Sequence, residues 1–108
     1  MSKLITNLDE YKLVVKRDKL SFIYFKNDKC SVCDSLFPQL KSIIDNWEEE
    51  LFVIDCNLNP EIAAQNLVLS VPALKVFYNN LELISMLRFV ELHKLKQEYY
   101  KIKQILQA

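Results

Sequence analysis

Glycine is missing altogether from this 108-residue chain. It is the residue that takes positive φ with the least steric strain, so every left-handed backbone position must be filled by something else. Asparagine tolerates that conformation better than most, and Asn79-Asn80 is the obvious place for it. Net charge is missing too, since fourteen basic residues balance fourteen acidic ones. That removes the general electrostatic case for nucleic acid or a membrane surface as a partner. Long apolar runs are also lacking. The opening MSKLITNLDEYK holds no run of signal-peptide length, and no stretch approaches the roughly 20 apolar residues of a membrane span. The expected location is therefore the cytoplasm. The cysteines number three, whereas a disulfide-stapled secreted domain usually carries an even set. In a reducing compartment a close cysteine pair leans toward catalysis or metal binding rather than a persistent structural bridge. Repeats, low-complexity tracts and linkers are absent, so residues 1–108 are read as one domain.

What is present is apolar: 51% of the residues, the level of a globular protein. Asn7 is a candidate N-cap with Glu10 three residues on, and Leu8, Tyr11 and Val15 follow at helical spacing, the helix ending near Asp18. Ser21 to Phe25 is a short apolar run, read as a buried strand. Leu36, Leu40, Ile43 and Trp47 mark an amphipathic helix from Ser31 onward, with Pro38 inside it as a kink. Leu51 to Asp55 reads as a second strand. Asn59 and Pro60 open a short helix through Asn66. Ala73 to Tyr78 and Glu82 to Leu87 form a hairpin around Asn79-Asn80. Leu92, Leu95, Tyr99, Ile102 and Leu106 form one stripe of a last helix, with Lys94, Lys96, Lys101 and Lys103 off that face. Lys3 to Ile5 is a candidate edge strand. Strands separated by helices imply parallel pairing, and the hairpin adds an antiparallel edge. The fold class is α/β, a mixed sheet with helices on both faces.

The chemistry concentrates in Lys29-Cys30-Ser31-Val32-Cys33. The pair follows a strand and opens a helix, where free N–H groups and the helix dipole favour an anion. A thiolate at Cys30 is stabilised there, so its pKa falls below the roughly 8.5 of free cysteine. Lys29 adds to this if its ammonium approaches. Cys33 lies one turn further on, so the two sulfurs can meet in a disulfide. Cys30 is then the exposed attacking thiolate and Cys33 the buried resolving thiol.

These stretches resemble the thioredoxin family along nearly the whole chain: FIYFKNDKCSVC, Pro38, DCNLNPEIAAQNLVLSVPALKVFYNN and the closing helix. The resemblance implies a thioredoxin-like three-layer α/β/α fold with a mixed central β-sheet. It also implies a cis Val71-Pro72 bond facing the active disulfide. Three departures stand out. Val32 replaces the proline usual before the second cysteine and restores an N–H that can reach the Cys30 thiolate, making the couple more oxidising. Tyr24 replaces a buried aspartate that helps move the proton of the second thiol, and a phenol of pKa near 10 cannot act as a carboxylate. Arg88-Phe89 replaces Gly-Ala beside the substrate groove, where Phe89 with Val32, Val71 and Val90 forms an apolar docking rim or else belongs to the core.

Elsewhere, Cys56 is read as a small buried apolar residue, His93 as surface, and Trp47 as helix packing. Zinc needs four ligands, and Cys30, Cys33, Cys56 and His93 match no finger or ribbon spacing. The expected activity is reduction of protein disulfides by dithiol exchange at Cys30 and Cys33. Val32, Val71, Pro72 and Phe89 would meet the client, an external reductase such as a thioredoxin reductase would recycle the protein, and no bound cofactor is implied. A monomer is expected. The alternative is a thioredoxin-like adaptor that binds proteins with little redox activity.

Overall fold

The computed structural model describes residues 2–107. Its elements in chain order are β1 Ser2–Leu4, α1 Leu8–Val15, β2 Ser21–Lys26, α2 Ser31–Asn46, β3 Glu50–Asp55, α3 Pro60–Gln65, β4 Ala73–Tyr78, β5 Leu81–Leu87 and α4 Leu92–Leu106. The sheet order is β1-β3-β2-β4-β5, which puts β2 at the centre. All of Ser21–Phe25 is buried, as a continuous apolar run covered on both faces requires. Phe22 and Tyr24 point into one core with Cys33, Leu40 and Ile44 of α2 and Leu95 of α4. Ile23 and Phe25 point into the other, with Tyr11, Val14 and Val15 of α1 and Ile62 and Ala63 of α3. This is the three-layer α/β/α arrangement with a mixed sheet that the resemblance implied.

One strand runs the other way from the simple βαβ expectation. β4 lies beside β2 and is antiparallel to it, pairing Ser21 with Phe77 and Phe25 with Ala73. The helix between β3 and β4 is short. Its six residues rise only about 9 Å at 1.5 Å each, whereas a six-residue strand spans roughly 20 Å. The connection from 56 to 72 therefore runs mostly through loop, and the chain re-enters the sheet at the end it left, antiparallel to β2. β5 then follows through the Asn79-Asn80 hairpin, as its residue types foretold. The candidate edge strand pairs in parallel with β3.

The helix ends show how a glycine-free chain turns. Asn7 caps α1 by accepting the Glu10 N–H at 2.8 Å. The Glu10 carboxylate reaches back to the Thr6 N–H at 2.8 Å, one residue earlier than a standard capping box. α1 stops at Val15 rather than near Asp18, because the hairpin takes over its end: Asn80 N–H donates to the Val15 carbonyl (2.7 Å) and Asn79 N–H to that of Arg17 (2.8 Å). Asn59 occupies the N-cap position of α3 but does not cap it; its amide donates instead to the Asp55 carbonyl at 3.1 Å. The apolar stripe of α4 weakens past Ile102, where Leu106 is 39% exposed. Trp47 packs as expected, its ring stacked on Tyr99 at 3.8 Å.

Among the described residues positive φ occurs at Lys29, Glu48, Leu67, Asn79, Asn80 and Arg88, so asparagine fills only the hairpin there. Glu48 and Leu67 are the left-handed residues that end α2 and α3. At each end the next two N–H groups bond back in the Schellman pattern: Glu48 to Asp45 and Glu49 to Ile44, then Leu67 to Ala64 and Val68 to Ala63. A side chain in this conformation costs about 1–2 kcal/mol, partly offset by the roughly 0.5–1 kcal/mol of backbone freedom that glycine loses on folding. Both side chains are exposed, so little packing is lost on removing them. Glu48→Gly and Leu67→Gly are each expected to stabilise the protein, by up to about 1 kcal/mol. Urea unfolding of the single variants checks this, and a lower midpoint in both would contradict it.

Candidate active site

The site forms where β2 hands the chain to α2. After Lys26 three loop residues follow, ending in left-handed Lys29 (φ 59°). Cys30 then takes the extended N-cap position, with φ −106°. Its sulfur does what a serine or aspartate oxygen does at other helix starts, accepting the Cys33 N–H at 3.2 Å. In this bridged pair the donor is the third residue of the helix; the donor expected from Val32 concerns the reduced thiolate. Cys33 is 1% exposed, Cys30 half-buried. The two sulfurs lie at disulfide-bonding distance with Cα atoms 5.2 Å apart, inside the range that such a bridge tolerates. The structure thus brings the two sequence-selected cysteines together, with the first nearer solvent.

Behind the pair stands Tyr24, fully buried in β2. Its hydroxyl donates to the Cys33 carbonyl at 2.8 Å, and its ring lies 5.8 Å from that of Phe37. Burial, with the nearby Asp34 carboxylate, pushes the phenol up to about 12. It stays protonated at neutral pH and serves as a packed donor, not a base.

A groove of about 410 Å³ opens beside the pair. One wall is the face of α2 carrying Val32, Ser35, Leu36 and Gln39; the other holds Pro72 and the segment from Arg88 to Glu91. Val32, Pro72 and Phe89 therefore meet, as does Val90. Phe89 is 77% exposed, so it is a rim residue and not core. Its position follows from a tight turn in which the Phe89 N–H bonds the Leu87 carbonyl at 2.8 Å across left-handed Arg88 (φ 75°). The Arg88 guanidinium lies 5.6 Å from the Phe89 ring centre. Val71 does not line the groove. It is half-buried behind it and packs against both cores, joined to Pro72 by a cis bond. Ser35, Leu36 and Gln39 are the wall residues not foreseen, although their spacing from Val32 (three, four and seven) places them on one helix face.

Cys56 is only half-buried, against an expectation of full burial, because it follows the last residue of β3 rather than lying within the strand. Its thiol is pushed up to about 11 by burial and by the Asp55 carboxylate. His93 is exposed on α4 beside Gln97. Among the described residues no three His, Cys, Asp or Glu side chains gather as a metal-binding group. Likewise no helix among them is long and apolar enough to cross a membrane.

Comparison with known proteins agrees with this geometry. The Thioredoxin family matches residues 2–101. A "Thioredoxin-like protein YdfQ" of Bacillus subtilis is 30% identical over 92 residues, covering 84% of this chain and 82% of that protein. The solved structure of thioredoxin 1 from Thermosipho africanus is 31% identical with a TM-score of 0.75, over 82% of this chain and 99% of that one. Thioredoxin from Trypanosoma brucei brucei shares the fold at a TM-score of 0.86 with 17% identity, over 94% and 89% of the two chains. A cysteine pair at the start of α2, beside a cis-proline turn and in this sheet order, accordingly belongs to a member of the thioredoxin family.

Proposed function

We propose that this chain reduces disulfides in client proteins by dithiol exchange. The observation that carries the reading is the asymmetry of the pair: Cys30 is half-exposed at a helix N-terminus while Cys33 is buried one turn behind it. In the reduced protein the helix N-terminus stabilises the Cys30 thiolate. That thiolate attacks a client disulfide, and one client sulfur leaves as a thiolate. Cys33 then attacks Cys30, the second client sulfur leaves, and the Cys30–Cys33 bridge closes. Two electrons pass from the protein to the client, and an external reductase returns them. The groove holds the client segment, with Phe89 and Val32 on its apolar rim. No resident cofactor enters the proposed cycle, and the protein is proposed to act as a monomer in the cytoplasm. The second reading, a protein-binding adaptor, draws on Tyr24, which stands where the family has its proton-handling carboxylate, and on the unusual Ser31-Val32 pair.

An insulin-reduction assay with dithiothreitol separates the two. Cys30→Ser is expected to abolish reduction, and Cys33→Ser to accumulate client mixed disulfides through Cys30. Trapping by the protein that retains only Cys33 would reverse the roles, and an inactive wild type would favour the adaptor.

The rim makes its own prediction. Phe89→Ala removes an exposed aromatic ring from the groove without touching the core. Reduction of a protein client is expected to fall about tenfold, in line with a rim contact of about 1.4 kcal/mol, while reaction with a small disulfide stays within about a factor of two, as expected of a group that acts through client binding alone. Equal losses on both substrates would remove Phe89 from client binding.

The third cysteine titrates far from neutrality. Because its raised pKa keeps the Cys56 thiol protonated, alkylation at pH 7 to 8 should label Cys30 in the reduced protein and leave Cys56 nearly unmodified. Labelling of Cys56 should rise as pH nears about 11. Mass mapping of the modified peptides across pH reads this, and rapid labelling of Cys56 at neutral pH would contradict it.

A further inference from the structure

The exchange cycle requires Cys33 to lose a proton, and Tyr24 cannot accept it. The phenol proton is committed to the Cys33 carbonyl. What adjoins Cys33 instead is a cavity of about 280 Å³ lined by Tyr24, Lys26, Cys33, Asp34, Phe37 and Val53. That is room for several waters, each taking roughly 30 Å³ in the liquid. Two charges of opposite sign line it. Lys26 lies two residues past Tyr24 on β2, hence on the same face of the sheet. Its side chain is 32% exposed, with Nζ 3.8 Å from Asp55 Oδ2 on the strand paired in register beside it. Asp34 follows Cys33 on α2 and is exposed.

We propose that Lys26 enables the resolving step by stabilising the Cys33 thiolate across this cavity. The proposal rests on the oxidoreductase reading and assigns Lys26 as a positioning charge, not a base. A thiolate forming at a site 1% exposed loses most of its hydration, which disfavours it; a nearby cation offsets that loss, and a nearby anion adds to it. Lys26 therefore assists, its effect reduced by the Asp55 carboxylate paired with it, and Asp34 opposes. In the step itself the Cys33 thiol gives its proton to cavity water and on to solvent. The thiolate forms a bond to Cys30 Sγ as the bond from Cys30 to the client sulfur breaks. The electron pair of that bond leaves on the client sulfur, which takes a proton from solvent.

The test uses the reduced protein and 5,5′-dithiobis(2-nitrobenzoate) in stopped flow, from about pH 6 to about pH 9, a range that spans the ionisation expected of a resolving thiol. Attack by Cys30 releases the first thionitrobenzoate, and attack by Cys33 releases the second. Lys26→Gln is expected to slow the second release about tenfold at neutral pH and to move its midpoint up by about one pH unit. Lys26→Arg should restore both. Asp34→Asn should quicken the second release and Asp34→Lys quicken it further; because Asp34 is exposed, these variants test the idea whatever Lys26→Gln does to folding. Slower release in Asp34→Asn would make the carboxylate the base and overturn the proposal. So would an unchanged second phase in folded Lys26→Gln. A wild type lacking the first phase would instead refute attack by Cys30, so the two readings fail separately.

Discussion

Cys33 is gripped at both of its backbone polar groups, and the site depends on that grip. Its N–H donates to Cys30 Sγ, and its carbonyl accepts the Tyr24 hydroxyl. The first bond ties the two cysteines together, and the second ties the opening turn of α2 to the central strand. Pro38 loosens the helix nearby, since it lacks the N–H that the Asp34 carbonyl would otherwise receive. A fully buried phenol left without a partner would cost about 1–3 kcal/mol, so Tyr24 and the Cys33 carbonyl need one another. The residue that replaces a carboxylate has thereby become part of the scaffold.

Life without glycine shapes both the scaffold and the site. Four of the six left-handed residues end helices or turn the hairpin, away from the cysteines. Of the other two, Lys29 directly precedes Cys30 and Arg88 lines the groove. Arg88 sits in a three-residue turn of positive φ, a rare and strained form, and the next residue, Phe89, stands out into solvent. A glycine at this position would turn the chain with less strain, but it would not set a guanidinium beside the aromatic rim. The strained conformation and the exposed ring belong to one arrangement.

Much of this was readable before any coordinates. The alternating apolar runs, the helical stripe of α4, the Asn-Asn hairpin and the cysteine pair on a strand-to-helix junction each have a local physical cause, and local causes can be read from neighbouring residues. The misses were non-local. The direction of β4 depends on the path of the whole connection from 56 to 72, not on any local pattern. The early stop of α1 depends on a hairpin more than sixty residues away that bonds its last carbonyls. Asn59 could not be assigned as a non-capping residue until Asp55 was seen to take its amide. Phe89 was undecided between rim and core because a single aromatic carries no periodicity; only the turn at Arg88 sets its exposure.

Helix α2 sorts the two sides of the disulfide by spacing alone. Val32, Ser35, Leu36 and Gln39 face the groove, where Pro72 and Phe89 make the opposite wall. Cys33 and Phe37, four residues apart, face the sheet and the cavity that Lys26 lines. On the proposed cycle, attack and resolution then meet different surroundings. The client enters on a side suited to an extended apolar segment, where burial supplies affinity. The resolving thiol ionises on a side with water and a cation, where a charge can be held. In the family pattern a buried carboxylate beside the second thiol couples proton transfer to the sheet itself. Here the same strand contributes a phenol that only holds the backbone, and on the proposed cycle control over the proton falls to Lys26, two residues on, and to Asp34 at the cavity edge. Those charges are more solvated than a buried carboxylate, and their influence is correspondingly more open to salt and to surface substitution.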